Sequence, residues 1–211
     1  MEKIRIIVAD DHANVRRGLL RMLNRSPQVE VIGEAGNGRE ALELAKSLNP
    51  DVLLLDVEMP GMKGQEVARR LRESETQVRV LALSGYNEMH YVLGMFASGA
   101  AGYLTKDEAP RQLLSAVQEI ASGRRGWISP EVAKMLGVPT QPTQPEALPA
   151  LTKLELKILK SLAAGRTDFE IRSELELENS IVVDHIQSII GKLGVRSRIE
   201  AVLRAIQQDL I

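Results

Sequence analysis

Short apolar runs alternate with longer amphipathic stretches through the first 125 residues. The runs are rich in β-branched residues, and each has about the length of one strand. They cover Ile4–Ala9, Val29–Ala35, Val52–Asp56, 78–84 and 101–105. Nearly continuous apolar character is typical of strands that are covered on both faces. The pattern therefore predicts five buried strands.

The stretches between these runs have the period of a helix. Residues 38–49 place Ala41, Leu42 and Ala45 on one stripe, and residues 64–73 and 109–122 behave similarly. Alternating strands and helices of this length favour right-handed crossovers and a parallel sheet with helices on both sides. In such a sheet, ligands bind at the carboxyl ends of the strands.

The alternation of apolar runs and amphipathic stretches ends after residue 125. Five prolines interrupt the chain there, at positions 130, 139, 142, 145 and 149. We therefore interpret residues 126–150 as a Pro-rich linker with one short helix over Pro130–Leu136. Beyond it, the sequence motif of a capping box begins at Thr152, Thr167 and Ser197, and a further apolar period covers residues 180–193. Residues 151–211 are thus predicted to form a four-helix domain.

Composition excludes several kinds of protein. The chain has 211 residues, no cysteine and a net charge of −1, with 27 basic and 28 acidic side chains. It can form no disulfide or thiolate metal site, and it lacks the strongly basic balance of a protein held to nucleic acid by bulk charge. No apolar stretch has the length of a membrane span or of a signal sequence core. We expect a soluble, cytoplasmic protein.

Polar side chains of particular types follow the predicted strands. Asp10 and Asp11 follow the first strand, Asp56 ends the third, Ser84 ends the fourth and Lys106 follows the fifth. Crowded carboxylates need a cation, and oxygen ligands without cysteine favour Mg²⁺. With the lysine and the hydroxyl, this edge is suited to a dianionic phosphoryl group. Alternatively, each aspartate is a cap or turn residue and the lysine is a solvated charge.

Residues 1–125 resemble the receiver domain of two-component response regulators. The resemblance rests on Ala-Asp10-Asp11-His, Leu-Leu-Asp56-Val-Glu-Met-Pro-Gly, Leu-Ser84-Gly and Gly-Tyr103-Leu-Thr-Lys106. It implies a flavodoxin-like five-stranded parallel sheet of order 2-1-3-4-5. It also implies that a histidine kinase phosphorylates Asp56, and that the receiver is no enzyme beyond catalysing its own dephosphorylation.

The resemblance also assigns roles to the other residues of this edge. Mg²⁺ would be bound by Asp10, Asp11, Asp56 and the main-chain carbonyl of Glu58. Lys106 would pair with the phosphoryl oxygens, Ser84 would shift to bond the phosphate, and Tyr103 would turn inward into the space that Ser84 leaves. His12 would lie beside the pocket without taking part. Alternatively, Tyr103 is an ordinary half-buried strand aromatic.

Residues 151–211 resemble a LuxR-type helix-turn-helix domain, and the combination resembles the NarL/FixJ family of response regulators. The residues that carry this resemblance are Leu151, Thr152, Glu155, Leu159, Gly165, Glu170, Ile171, Leu175, Val182, His185, Ile186, Lys192, Leu193, Gly194, Val195 and Arg198. By this resemblance, residues 180–193 form the recognition helix, and the protein forms a homodimer when it is phosphorylated. The candidate DNA contacts are Ser180, Val183, Asp184, Gln187, Lys192, Arg196 and Arg198.

The predicted recognition helix departs from the family pattern. The family usually has several cations there, whereas this chain has Val183 and Asp184, and the preceding helix has Asp168 and Phe169. Fewer phosphate contacts weaken DNA binding. The leading hypothesis is a DNA-binding transcription regulator controlled by phosphorylation. In the alternative, the degenerate helix-turn-helix binds a protein through Phe169, Ile181 and Val183, unless Phe169 and Ile181 pack inward. A weaker third interpretation is a Mg²⁺-dependent phosphohydrolase.

Overall fold

We describe the protein from a computed structural model, which covers residues 3–74, 76–85, 88–138 and 150–211. The strands are β1 (Ile4–Ala9), β2 (Val29–Ala35), β3 (Val52–Asp56), β4 (Arg79–Ser84), β5 (Gly102–Thr105) and β6 (Trp127–Ile128). The helices are α1 (Ala13–Leu23), α2 (Gly38–Leu48), α3 (Gly64–Glu73), α4 (Met89–Ala97), α5 (Ala109–Ala121), α6 (Pro130–Leu136), α7 (Lys153–Ala163), α8 (Asp168–Leu175), α9 (Asn179–Leu193) and α10 (Arg198–Gln207). None of the helices described is both long and apolar enough to span a bilayer.

The strands form a parallel sheet of order β2-β1-β3-β4-β5-β6. Every residue of the central strand β3 is buried, as its continuous apolar run predicts. Its alternate side chains serve two separate cores. Leu53 and Leu55 pack with residues of α2, α3 and α4, whereas Leu54 packs with residues of α1 and α5. Helices therefore cover both faces of the sheet.

The sheet has a sixth strand that the apolar pattern does not reveal. Trp127 and Ile128 pair with Gly102 and Tyr103 of β5, so the expected five-stranded order is extended by one strand at that edge. Two residues are too few to show a period, and they lie in the segment that the prolines mark as a linker. The predicted helix follows directly as α6 and ends at Gly137 in the left-handed conformation. Residues 139–149, where the linker prediction mainly falls, lie outside the described residues.

The second unit consists of α7, α8, α9 and α10, as predicted. Capping boxes open α7 at Thr152 and α8 at Thr167, because each threonine accepts a bond from the main chain three residues on and each N3 glutamate bonds back. Ser197 accepts a bond from Glu200 N at the start of α10. Gly194 ends α9 in the left-handed region, as its position predicts.

The two units are in contact. Helix α4 packs against α7, and the apolar cluster on that face of the sheet continues into α7 and α10. Polar contacts join the loop before β6 to the end of α10. The Gln207 Nε2 donates a hydrogen bond to the Gly126 carbonyl at 3.2 Å, and Arg125 forms an ion pair with Asp209. The α4 face of the sheet is therefore the side through which the second unit is attached.

The start of α3 is held against the end of β3 by a close backbone approach. A Cβ atom on Gly64 would overlap the main-chain carbonyl of Asp56, whereas a Cβ on Gly18 within α1 would meet nothing. We expect Gly64→Ala to lower the free energy of unfolding by about 1–3 kcal/mol, because the backbone must move to admit the methyl group. The matched change Gly18→Ala should raise it by about 0.5–1 kcal/mol. Urea titrations of both variants test this, and equal effects would contradict it.

Candidate functional site

The carboxyl edge of the sheet brings two buried carboxylates together. Asp10 directly follows β1 and Asp56 ends β3, and these neighbouring strands are in register with Ala9 opposite Leu55. Asp10 is fully buried and Asp56 is 3% exposed. The Asp10 Oδ1 accepts a hydrogen bond from the His12 main-chain N at 2.8 Å, which fixes the carboxylate at the start of α1. The sequence-based expectation that these side chains converge is met.

Lys106 lies between the two carboxylates. Its main-chain N donates to the Ser84 carbonyl at 2.7 Å, which continues the ladder between β4 and β5 by one residue. From there its Nζ reaches 2.8 Å from Asp56 Oδ2 and 2.8 Å from Asp10 Oδ2. One ammonium thus neutralises one of two buried charges. With Asp11 beside them, this edge keeps an excess of negative charge.

The pKa shifts follow from this arrangement. Burial raises the pKa of the Asp56 carboxyl above its ordinary value, and the Asp10 charge adds to that effect, while the bond and charge of Lys106 oppose it. For the Lys106 ammonium, burial alone would lower the pKa, but the interactions with Asp10 and Asp56 outweigh it and raise the pKa. Lys106 is therefore firmly charged, and the carboxylates favour any further cation.

The side chains at this edge fit a metal ion. One ligand atom each from Asp10, Asp11, His12 and Asp56 lies within 4.8 Å of the others. Asp10 Oδ2 faces the Lys106 ammonium at 2.8 Å, and Asp11 Oδ1 faces His12 Nδ1 at 2.7 Å. Three carboxylates are the ligand set of a hard divalent cation. His12 has a largely exposed side chain and pairs with Asp11 at 2.7 Å, so it lies at the rim of this cluster.

Glu58 lies in the loop after β3. Its main-chain N donates a long hydrogen bond of 3.4 Å to Asp56 Oδ1, and its side chain pairs with Lys63 at 3.2 Å. Its carboxylate is therefore directed to a surface lysine. The metal-binding role of its main-chain carbonyl stays a prediction.

Ser84 and Tyr103 lie on neighbouring strands behind the acidic edge. Ser84 is 1% exposed at the end of β4, and Tyr103 is fully buried on β5. The two side chains are hydrogen-bonded, and burial raises the pKa of the Tyr103 hydroxyl to about 12. The interpretation of Tyr103 as a half-buried strand aromatic is wrong, because this ring lies in the same apolar cluster as Val92 and Met95 of α4. The Tyr103 ring thus already occupies the inward position that the resemblance implies.

Two supporting side chains have no signal in the sequence pattern. The Arg16 Nη1 donates to the Asp10 carbonyl at 2.6 Å, from one turn into α1. Glu108 accepts bonds from Thr105 Oγ1 at 3.0 Å, from Ser129 and from the Glu131 main-chain N at 3.0 Å. Glu108 therefore fastens the end of β5 to the start of α6. These residues are distant in sequence and of common types, so only the fold reveals their roles.

In the second unit, α9 has one buried and one exposed face. Val182, Ile186, Ile189 and Leu193 are buried, as their spacing predicts. The exposed residues include Ser180, Ile181, Val183, Asp184 and Gln187. Phe169 at the start of α8 is 65% exposed, with the Arg172 guanidinium 4.8 Å from its ring centre. The suggestion that Phe169 packs inward is therefore wrong.

The cations predicted to contact DNA differ in their surroundings. Lys192 Nζ lies 2.8 Å from Glu155 Oε2, and that glutamate is 2% exposed. Arg198 forms an ion pair with Asp168 at 2.7 Å. Arg196 is exposed, and its main-chain N donates to Glu200 at 2.9 Å. The structure thus gathers the uncharged and acidic candidates on the exposed face of α9, while Lys192 pairs with the buried Glu155 and Arg198 forms a surface ion pair with Asp168.

Glu155 anchors α9 to α7. Its Oε1 accepts a bond from Ser188 at 2.7 Å, and its Oε2 accepts bonds from Lys192 and from the Thr152 main-chain N at 2.8 and 2.6 Å. Burial would raise the pKa of this carboxyl, but the Lys192, Thr152 and Ser188 bonds prevail and lower it to about 2. The orientation of α9 therefore depends on an ionised Glu155.

Comparison with known proteins finds a family match for each of the two units. Residues 6–118 match the response regulator receiver domain, and residues 149–205 match the luxR family of bacterial regulatory proteins. The chain is 40% identical over 210 residues to the probable transcriptional regulatory protein NarL of Mycobacterium tuberculosis, covering 100% of this chain and 97% of the relative. It is 35% identical over 212 residues to the nitrate/nitrite response regulator protein NarL of Escherichia coli, covering 99% and 98%.

Among solved structures, the chain is similar to the response regulator ChrA of a heme-sensing two-component system. The two are 32% identical, each is covered completely, and the TM-score is 0.56. The likeness extends over both units rather than over the sheet alone.

The depressed pKa of Glu155 predicts how the stability of α9 depends on pH. A carboxyl whose folded pKa is lowered adds stability above its unfolded pKa, and this is lost as the pH falls from about 5 toward 2. Glu155→Gln should remove about 2 kcal/mol of protection from α9 at pH 7. The variant should also make the protection of α9 amides less dependent on pH between about 5 and 2. Amide hydrogen exchange of α9, corrected for intrinsic rates, measures both effects.

The control is Glu178→Gln, which changes an exposed carboxyl at the N-terminal boundary of the same helix. This variant should keep the acid dependence of the unmodified chain. The role assigned to Glu155 is contradicted if the α9 amides are equally protected from exchange in Glu155→Gln and Glu178→Gln across the pH range.

Proposed function

The chain belongs to the NarL/FixJ family of two-component response regulators, and from this premise we propose that phosphorylation of Asp56 controls its binding to DNA. The observation that carries the proposal is the position of Lys106, whose amine lies 2.8 Å from both Asp56 and Asp10 at the sheet edge. A fixed ammonium beside a buried carboxylate can donate charge-assisted hydrogen bonds to a phosphoryl group once that carboxylate is phosphorylated. The names of the relatives, which are transcriptional and response regulators, favour this function.

In the proposed reaction, an Asp56 oxygen attacks the phosphorus of a phosphohistidine on a histidine kinase. A P–O bond forms, the P–N bond breaks, and the imidazole leaves and takes up a proton. Asp10, Asp11, Asp56 and the Glu58 main-chain carbonyl would hold Mg²⁺, which would supply positive charge that offsets the charge of the phosphoryl group. Lys106 orients the phosphoryl group through its remaining hydrogens. Hydrolysis of the acyl phosphate at the same edge, catalysed by the receiver itself, returns Asp56 to its carboxylate form.

The charge at Asp56 changes from −1 to about −2 when the acyl phosphate forms. The Ser84 hydroxyl then donates to a phosphoryl oxygen and gives up its bond with Tyr103. The ring of Tyr103 lies in one apolar cluster with Val92 and Met95, so its repacking acts on α4. Since α4 packs against α7, the change reaches the second unit at the contact between the units.

The second unit is proposed to place α9 in the major groove of DNA. Helix-turn-helix proteins bind two half-sites as dimers, and we propose that phosphorylation yields a homodimer of this kind. The protein acts in the cytoplasm, where the kinase domain and the chromosome are both accessible. The alternative, a domain that binds protein instead of DNA, gains no support from the relatives.

Asp56→Asn tests the phosphoacceptor directly. The amide has nearly the shape of the carboxylate but lacks the nucleophilic oxygen, so labelling by acetyl phosphate with Mg²⁺ should fall to background. The matched variant Asp107→Asn changes an exposed carboxyl beside Lys106 and should be labelled like the unmodified chain. Intact-protein mass spectrometry measures the added phosphoryl group. Retained labelling of Asp56→Asn would refute the assignment.

A further inference from the structure

The exposed face of α9 carries no available cation among the described side chains. Its stripe consists of Ser180, Val183, Asp184 and Gln187, with Ile181 beside it. These positions follow the i, i+3, i+4, i+7 spacing of one helix face. The only lysine of this helix, Lys192, is held 2.8 Å from the buried Glu155. The helix therefore presents one methyl-bearing side chain, one carboxylate and two neutral polar groups at the centre of its exposed face.

Two arginines follow α9, and one of them, Arg198, forms a surface ion pair. Arg198 pairs with Asp168 at 2.7 and 3.4 Å through two nitrogens, so its guanidinium is directed to α8. The commonest specific contact in the major groove is an arginine or lysine bonded to guanine O6 and N7. Lys192 is the only lysine of α9 and is held by Glu155, so α9 itself offers no free cation for this contact, and the exposed arginines Arg196 and Arg198 lie beyond the end of α9. Helix α9 must therefore recognise bases through contacts that need no cation.

Val183 supplies an apolar group at the centre of the stripe. It is 42% exposed, and Ile181 is 37% exposed, whereas Val182 and Ile186 of the same helix are buried. Of the base edges in the major groove, only thymine offers an apolar group, its 5-methyl. A branched aliphatic side chain gains free energy there by excluding water from both methyl surfaces.

Asp184 restricts the neighbouring position. An ionised carboxylate accepts hydrogen bonds but donates none. In the major groove it is therefore compatible with the amino groups of cytosine and adenine and is repelled by the two acceptors of guanine. Next to Val183 on the same face, it disfavours guanine where a cationic helix would favour it.

We propose that Val183 is a specificity-determining residue that selects DNA by contact with thymine 5-methyl groups, with Asp184 excluding guanine from the adjacent position. This rests on the proposed function, because it names the bases that the DNA-binding face reads. The half-site then carries thymine at the position that Val183 contacts and cytosine or adenine at the position that Asp184 contacts, and its recognition depends on methyl contact more than on charge.

The experiment uses the full chain, treated with acetyl phosphate and Mg²⁺, and a library of duplexes with a randomised central segment. After selection, each thymine of the enriched site is replaced by deoxyuridine, which removes only the methyl group. Affinity should fall by about fourfold for each contacted methyl. Val183→Ala should bind the thymine and deoxyuridine duplexes equally, and Leu210→Ala, which truncates another exposed apolar side chain, should still discriminate.

Val183→Lys provides the opposite change. It should bind more tightly overall, with a steeper loss of affinity as salt rises, because it adds a phosphate or guanine contact. It should also lose the discrimination between thymine and deoxyuridine.

The outcomes separate the two proposals. Enrichment of a site whose binding is unchanged by deoxyuridine would overturn the thymine readout and leave the regulator function intact. A chain that is labelled at Asp56 but enriches no sequence in a saturable, salt-sensitive manner would overturn the DNA-binding function itself.

Discussion

The placement of Lys106 between two buried carboxylates is the interaction on which the rest of this molecule depends. Asp10 and Asp56 can be buried side by side only because one ammonium lies 2.8 Å from each. The lysine reaches that position because β5 lies beyond β4 in the sheet and its main chain bonds Ser84. The remaining negative charge makes the edge receptive to a cation, and an electrostatic change there acts on Ser84 and Tyr103 directly behind it.

In the second unit, too, acidic side chains balance the basic ones. Residues 151–211 carry nine basic and nine acidic side chains, so the unit has no positive excess. Lys192 pairs with the buried Glu155, which joins α9 to α7, and Arg198 pairs with Asp168 at the surface. The consequence is that α9, the proposed recognition helix, is joined to α7 by an ion pair and carries almost no net charge. Its selectivity is then expected to come from close fit to base edges, since bulk attraction to phosphate is weak.

Much of this could be predicted from sequence because it depends on local patterns. Apolar runs predict strands, and the carboxyl ends of adjacent parallel strands lie at one edge of a sheet, so Asp10, Asp56 and Lys106 could be placed together from the sequence. Capping boxes predict helix starts at Thr152 and Thr167. What could not be predicted are pairings between distant residues. Strand β6 is too short to show a period, Glu108 has partners in α6, and Lys192 meets Glu155 only after α9 has packed on α7.

The central claim is that one phosphoryl group on Asp56 governs the affinity for DNA, and anisotropy titration of a labelled duplex tests it most directly. The full chain and its Asp56→Asn variant are each titrated with and without acetyl phosphate and Mg²⁺. The account predicts that phosphorylation tightens binding of the unmodified chain by about tenfold and leaves the variant unchanged. Equal affinity of the unmodified chain in both states, or an equal response of the variant, would contradict it.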